Sequence, residues 1–146
     1  MERKPKPAPH RILTLARDLQ RRKARERASA FVAEGVRVVG EVLQAGIPLR
    51  GALITAEAAD RHADVVNALR ARGAECVTVT DQEFASAADT ERPQGMLCIA
   101  EVPDVALNTL APDALARVLV LDAIQDPGNV GTLIPVSYTH LRAHET

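Results

Sequence analysis

The chain has 146 residues, 47% of them hydrophobic and 25% charged, with a net charge of −1. That length allows one domain, or one domain and part of a second, and excludes a large multi-domain enzyme. Phe31, Phe84 and Tyr138 are the only aromatics, so the core must be built from Ala, Val, Leu and Ile, and there is no set of rings for base stacking.

The near-zero charge is an average of two unlike parts. Residues 1–28 hold ten Lys/Arg against Glu2, Asp18 and Glu26, a net of +7; residues 29–146 hold eight Arg against sixteen Asp/Glu, a net of −8. A basic arm on an acidic body suggests a polyanionic partner. A merely solvated leader is the alternative. No apolar run approaches the roughly 20 residues that cross a bilayer. Residues 1–7 are not followed by the apolar stretch of a secretory signal. Cys76 and Cys98 lie in apolar, strand-like stretches without metal spacing, as expected of buried free thiols in a cytoplasmic protein. The four histidines form no metal-type pair.

In chain order, residues 1–11 read as a flexible tail and 12–28 as wholly or partly helical, with Ile12, Leu15, Ala16 and Leu19 on one face. Residues 31–45 fit either a continuous helix, despite Gly35 and Gly40, or a short strand at Ala30–Glu34 followed by a helix. Gly46 ends that helix. Residues 52–55 read as a strand, and 57–72 as a helix with Val65, Val66 and Leu69 inward and Gly73 after its end. Residues 75–80 alternate and are β-branched, predicting a strand. Thr80 and Glu83 have the spacing of a capping box for a short helix through Ala88. Thr90 to Gly95 form a turn before a strand at Met96–Val102. Alternating strands and helices indicate an α/β domain ending near residue 102. Pro103 to Ala116 reads as a linker. Arg117–Ala123 is an apolar run suited to a strand buried in a parallel sheet.

The stretch 119–134, LVLDAIQDPGNVGTLI, carries the most information. Asp126-Pro127-Gly128-Asn129 alone is an ordinary turn. Here it follows an apolar run and precedes a helix start at Val130, the place where open α/β sheets put ligands. Gly128 and Gly131 permit close backbone approach, and free N–H groups there suit an anionic oxygen.

This stretch resembles the first signature motif of the SpoU (TrmH-like) RNA methyltransferases of the knotted SPOUT superfamily. KARERASAFVAEGVRVVGEVLQAG, residues 23–46, resembles the opening of that family's substrate-binding domain, which is similar to ribosomal protein L30e. DTERPQGMLCIAEV, residues 89–102, resembles its closing segment. The resemblance implies an α/β chain: a small three-layer L30e-like domain, then the first strand and turn of a knotted methyltransferase domain. The implied division is a basic arm over 1–18, an RNA substrate-binding domain over 19–102, a linker over 103–116 and the start of the catalytic domain over 117–134.

The implied activity is transfer of a methyl group from S-adenosylmethionine to a ribose 2′-hydroxyl of structured rRNA or tRNA by a homodimer. Positioning dominates such a step, because the hydroxyl is a weak nucleophile. Asn129 matches the motif's asparagine near the ribose and catalytic centre. Gly128, Gly131 and Thr132 match the turn and helix start. Asp122, Gln125 and Asp126 match the strand end that shapes the site, with turn-capping as their alternative role. Arg21, Arg22, Lys23, Arg25 and Arg27 are the candidate phosphate contacts; a solvated helix face is the alternative. Gln94 could meet RNA or backbone, and Gly95 serves backbone geometry.

The resemblance stops at Ile134. The family continues with an arginine expected to activate or position the hydroxyl; this chain has Pro135, which also disfavours helix at the residue before it. Residues 135–146, holding the only Tyr and two of the four His, read as a non-native tail. The expectation is a truncated methyltransferase that keeps RNA binding, binds S-adenosylmethionine poorly, does not dimerise and does not methylate. A stand-alone L30e-like RNA-binding module is the alternative. A Rossmann-type nucleotide domain is disfavoured, since no Gly-x-Gly-x-x-Gly follows a strand.

Overall fold

The computed structural model describes residues 8–104, 106, 120–123, 125–126 and 128–134. It divides into two compact units, Met1–Pro103 and Asp104–Thr146.

The first unit is a mixed four-stranded sheet between two layers of helices. Its elements are α1 (Ala8–Asp18), α2 (Arg22–Ala28), β1 (Ala30–Glu34), α3 (Val36–Gln44), β2 (Leu49–Thr55), α4 (Ala56–Arg61), α5 (Ala63–Ala71), β3 (Cys76–Val79), α6 (Asp81–Ala85) and β4 (Met96–Glu101). The strand order is β1-β4-β2-β3. β2 and β3 are parallel, with Leu53 opposite Val77, whereas β4 runs antiparallel to both β1 and β2.

Side chains alternate across a strand, and here the alternation builds two cores. Leu53, Val77, Val79, Leu97 and Ile99 meet α1, the turn after it and α6 through Ile12, Leu13, Ala16, Leu19 and Phe84. Ala52, Ile54, Met96, Cys98 and Ala100 meet α3, α4 and α5 through Val39, Val42, Ala58, Val66 and Leu69. β4 is apolar on both faces because both are covered. With one large aromatic in these cores, Phe84, close packing rests on aliphatic side chains.

Several expectations are corrected. Residues 8–18 are not part of a flexible arm: α1 buries Ile12, Leu13 and Ala16. The apolar face read at Ile12, Leu15, Ala16 and Leu19 must be covered, and its cover is the sheet rather than solvent. Gly51 shows how close α1 comes, since a Cβ there would lie 2.8 Å from Ile12 Cδ1. Arg11 pairs with Glu75 and Arg17 Nε donates to Ser86 Oγ, so two charges of the expected arm hold α1 to the body. The helix over 12–28 is broken at 19–21 into α1 and α2.

Of the two readings of 31–45, strand then helix is the one adopted, with the turn at Gly35 (φ +95°). The helix over 57–72 breaks at His62, whose backbone (φ −129°, ψ 47°) leaves the helical region. The capping box forms in full: the Thr80 hydroxyl accepts from Glu83 N and the Glu83 carboxylate accepts from Thr80 N. The helix it opens ends at Ala85 rather than Ala88.

The second unit departs most from expectation. Residues 120–123 are not strand, and Val120 is 79% exposed. A strand exists through its ladder partners, and none pairs with these residues among those described. Residues 117–119, the linker from 107 and the tail from 135 lie outside the described residues. A helix does form over 128–134.

Candidate nucleic-acid interface

The candidate residues fall in three places. Arg21, Arg22, Lys23, Arg25 and Arg27 lie at or within α2. Gln94 and Gly95 lie in the loop before β4, and the remainder surround the helix over 128–134.

α2 buries none of its residues. Arg22 Nε meets the Glu26 carboxylate at 2.7 Å, one turn away, with both side chains mostly exposed. Such a pair contributes only a few tenths of a kcal/mol. Arg21, Lys23 and Arg27 are exposed and make no ion pair among the described residues. Arg25 differs. It is half-buried, and its Nη1 donates to Leu19 O at 3.0 Å and Gln20 O at 2.7 Å. Those are carbonyls that α1 leaves open at its C-terminal end.

The loop before β4 is fastened at both ends to the junction of β1 and α3. Glu34 accepts from Asp89 N at 3.0 Å and from the Thr90 hydroxyl. Gln94 Oε1 accepts from Val36 N at 3.4 Å, at the open end of α3. Of the two partners open to Gln94, backbone is the one it takes. Gly95 meets a double constraint: its φ is +73°, and a Cβ would overlap Thr55 Oγ1 and stand 3.1 Å from Ala58 Cβ. Arg92 is exposed at the loop's crest.

A cleft of about 380 Å³ opens beside this loop, lined in part by Thr55, Arg61, Asp81, Phe84 and Gln94. It sits at the carboxyl ends of the parallel strands β2 and β3, the usual ligand position in α/β sheets. Arg61 and Asp81 escaped sequence reasoning. The signal was the strand-end rule itself, applied here to residues 119–134 but not to β2 and β3. Glu34 and Arg50 were also missed, and local spacing could not reveal them. Their partners lie 22 to 56 residues away.

In the second unit, Asp126 opens the helix. Its Oδ1 accepts from Gly128 N at 2.9 Å, and its carbonyl accepts from Asn129 N at 3.1 Å. This is the turn-capping role, worth about 1 kcal/mol at a helix start. The Thr132 hydroxyl donates back to Asn129 O at 2.9 Å. Gly131 has no neighbour within 4 Å that a side chain would meet. Asp122, Gln125 and Asn129 are exposed. None of these residues is enclosed, so they do not by themselves form a pocket for adenosine or methionine.

The two thiols stand apart from these sites. Burial pushes Cys98 up to about 12. Burial also raises Cys76, with Arg70 opposing. Among the described residues, no helix is long and apolar enough to cross a membrane.

The model of the MRM3-like substrate binding domain matches residues 12–98. The chain is 28% identical over 116 residues to the 23S rRNA (guanosine(2553)-2′-O)-methyltransferase RlmP of Bacillus subtilis (strain 168), covering 80% of this chain and 42% of that protein. It is similar to the solved structure of an RNA 2′-O ribose methyltransferase, with a TM-score of 0.64, 25% identity, and coverage of 91% of this chain and 49% of the other. A putative RNA methyltransferase of the TrmH family from Porphyromonas gingivalis gives a TM-score of 0.59 and 28% identity over 86% of this chain and 46% of its own. The chain thus spans less than half the length of each of these relatives. With the domain model covering more than half of it, the chain belongs to the MRM3-like substrate binding domain family.

Proposed function

We propose that this chain is the RNA-binding portion of an S-adenosylmethionine-dependent rRNA or tRNA 2′-O-ribose methyltransferase. One observation carries the reading: a helix of a substrate-binding domain that buries nothing and presents Arg21, Lys23 and Arg27 to solvent. Such a helix contributes little to the core, where only Ala28 packs from its last turn, and its charges suit a phosphate backbone. Arg22 can join them by leaving Glu26, since an exposed pair of that kind is weak. Arg25 is withdrawn from the phosphate contacts by its hold on α1. Gln94 serves the interface by fixing the loop that carries Arg92.

Asn129 is the residue of the reaction centre in the whole enzyme, held at the start of the helix over 128–134 by the cap at Asp126. The cofactor is supplied with its pocket by the rest of the enzyme. As it stands, this chain binds RNA, remains monomeric and transfers no methyl group. The lack of a ladder partner for 120–123 among the described residues and the exposure of Asn129 support the absence of methyl transfer. The likeness to RlmP runs over 116 residues, longer than the substrate-binding span of 12–98. That favours part of an enzyme over a stand-alone binding module. In this reading the protein works in the cytoplasm, where its RNA is.

The test is binding of a fluorescent RNA stem-loop across a salt series. Affinity should fall steeply with salt, and Lys23→Gln should reduce the slope of log K against log salt by about 0.7–0.9. Absence of binding, or a slope indifferent to Lys23 and Arg27 together, overturns the reading. Turnover by this chain with labelled S-adenosylmethionine and rRNA overturns its catalytic half.

A further inference from the structure

α2 has seven residues, no buried side chain, and no side-chain N-cap. A helix this short does not persist alone in water, and its apolar hold is slight, the half-buried Ala24 and Ala28, of which Ala28 packs on the core. Two arginines add to that slight hold. Arg25 reaches back from α2 to the carbonyls of Leu19 and Gln20. Arg50, on β2, donates from Nη2 to Ala28 O at 2.8 Å and from Nε to Glu101 Oε1 at 3.2 Å. The first clamp ties α2 to the end of α1. The second ties its last residue to the sheet, and Glu101 on β4 aims the guanidinium. Hydrogen bonds from a charged donor are stronger than neutral ones.

We propose that Arg25 and Arg50 are positioning residues for RNA binding: they hold α2 folded so that Arg21, Lys23 and Arg27 meet phosphates without an ordering cost. This rests on the RNA reading of α2 given above. A rigid binding element loses less conformational freedom on association. Arg50 touches no RNA in this account. Its removal nevertheless weakens binding, and the defect is local to α2.

The experiment uses the full chain, hydrogen exchange of residues 22–28 and of β4, and affinity for an RNA stem-loop. Arg50→Ala and Arg25→Ala should each speed exchange in α2 about tenfold, leave β4 amides protected, and weaken RNA binding about tenfold, the worth of a charge-assisted hydrogen bond. Lys23→Gln should weaken RNA binding and leave α2 exchange unchanged. The proposal is overturned if both alanine variants bind RNA like the parent. It is equally overturned if they lose affinity while α2 stays protected, which would make Arg25 a direct phosphate contact. If the parent chain does not bind the stem-loop, the RNA reading itself fails, and that is seen before any variant is made.

Discussion

Two apolar stretches of this chain invite comparison. Met96–Glu101 forms β4, paired on both edges and buried on both faces. Residues 120–123, within a run of similar composition, form no strand, and Val120 is 79% exposed. Local preference for extended structure is similar in the two. What differs is the company: β4 lies between β1 and β2 and under two helical layers. β propensity is largely the fit of a side chain to a pleated, covered surface, and among the described residues only the first stretch has such a surface.

Substitutions can break that contrast or sharpen it. The largest effect should come from Leu97→Ala, which empties a fully buried site in β4. It should cost about 2–5 kcal/mol in urea unfolding. Gly95→Ala, just before the same strand, combines a positive φ with overlap on Thr55. It should cost about 2–3 kcal/mol by the same measurement. Thr80→Ala removes the capping box of α6, for about 1 kcal/mol.

Val120→Ala should lie within about 0.5 kcal/mol of the parent. A loss comparable to that of Leu97→Ala would mean that residues 120–123 are covered after all. The last effect is absent at neutral pH. The Cys98 thiol is held up to about 12 from an ordinary 9.0, so the folded state keeps a proton that the unfolded chain releases. Its contribution is whole below pH 9 and is lost as pH rises from 9 towards 12. Cys98→Ala should flatten that part of the alkaline unfolding curve.

What could be read in the sequence follows the range of the interactions involved. The strands at 76–79 and 96–101 announce themselves through local apolar runs. The capping box is legible because Thr80 and Glu83 are three residues apart. The stretch at 119–134 was recognisable by motif, and its turn-capping Asp126 by residue type. The apolar face of α1 is legible from Ile12 onward, whereas its start at Ala8 and its docking on the sheet, which set the domain boundary, are not. The break at His62 has no Gly or Pro to mark it. The clamp from Arg50 to Ala28 spans 22 residues, and the one from Arg25 exists only because the chain turns at 19–21. Interactions that depend on tertiary placement leave no spacing to find. For that reason the sequence placed Arg25 among the phosphate contacts.

The sheet order carries a consequence for how the protein is made. β1 pairs with β4 alone, and Glu34 meets Leu97 across a gap of roughly sixty residues of chain. The ribosome adds about 5–20 residues per second, so β1 waits on the order of several seconds for its first partner. β2 and β3, with α4 and α5 between them, can assemble earlier. β4, one of the two inner strands, is thus the last of the four to be synthesised, and a nascent chain arrested before Met96 would carry Ala30–Glu34 without its partner. Such an edge is what chaperones shield and what neighbouring polypeptides on a polysome can seize.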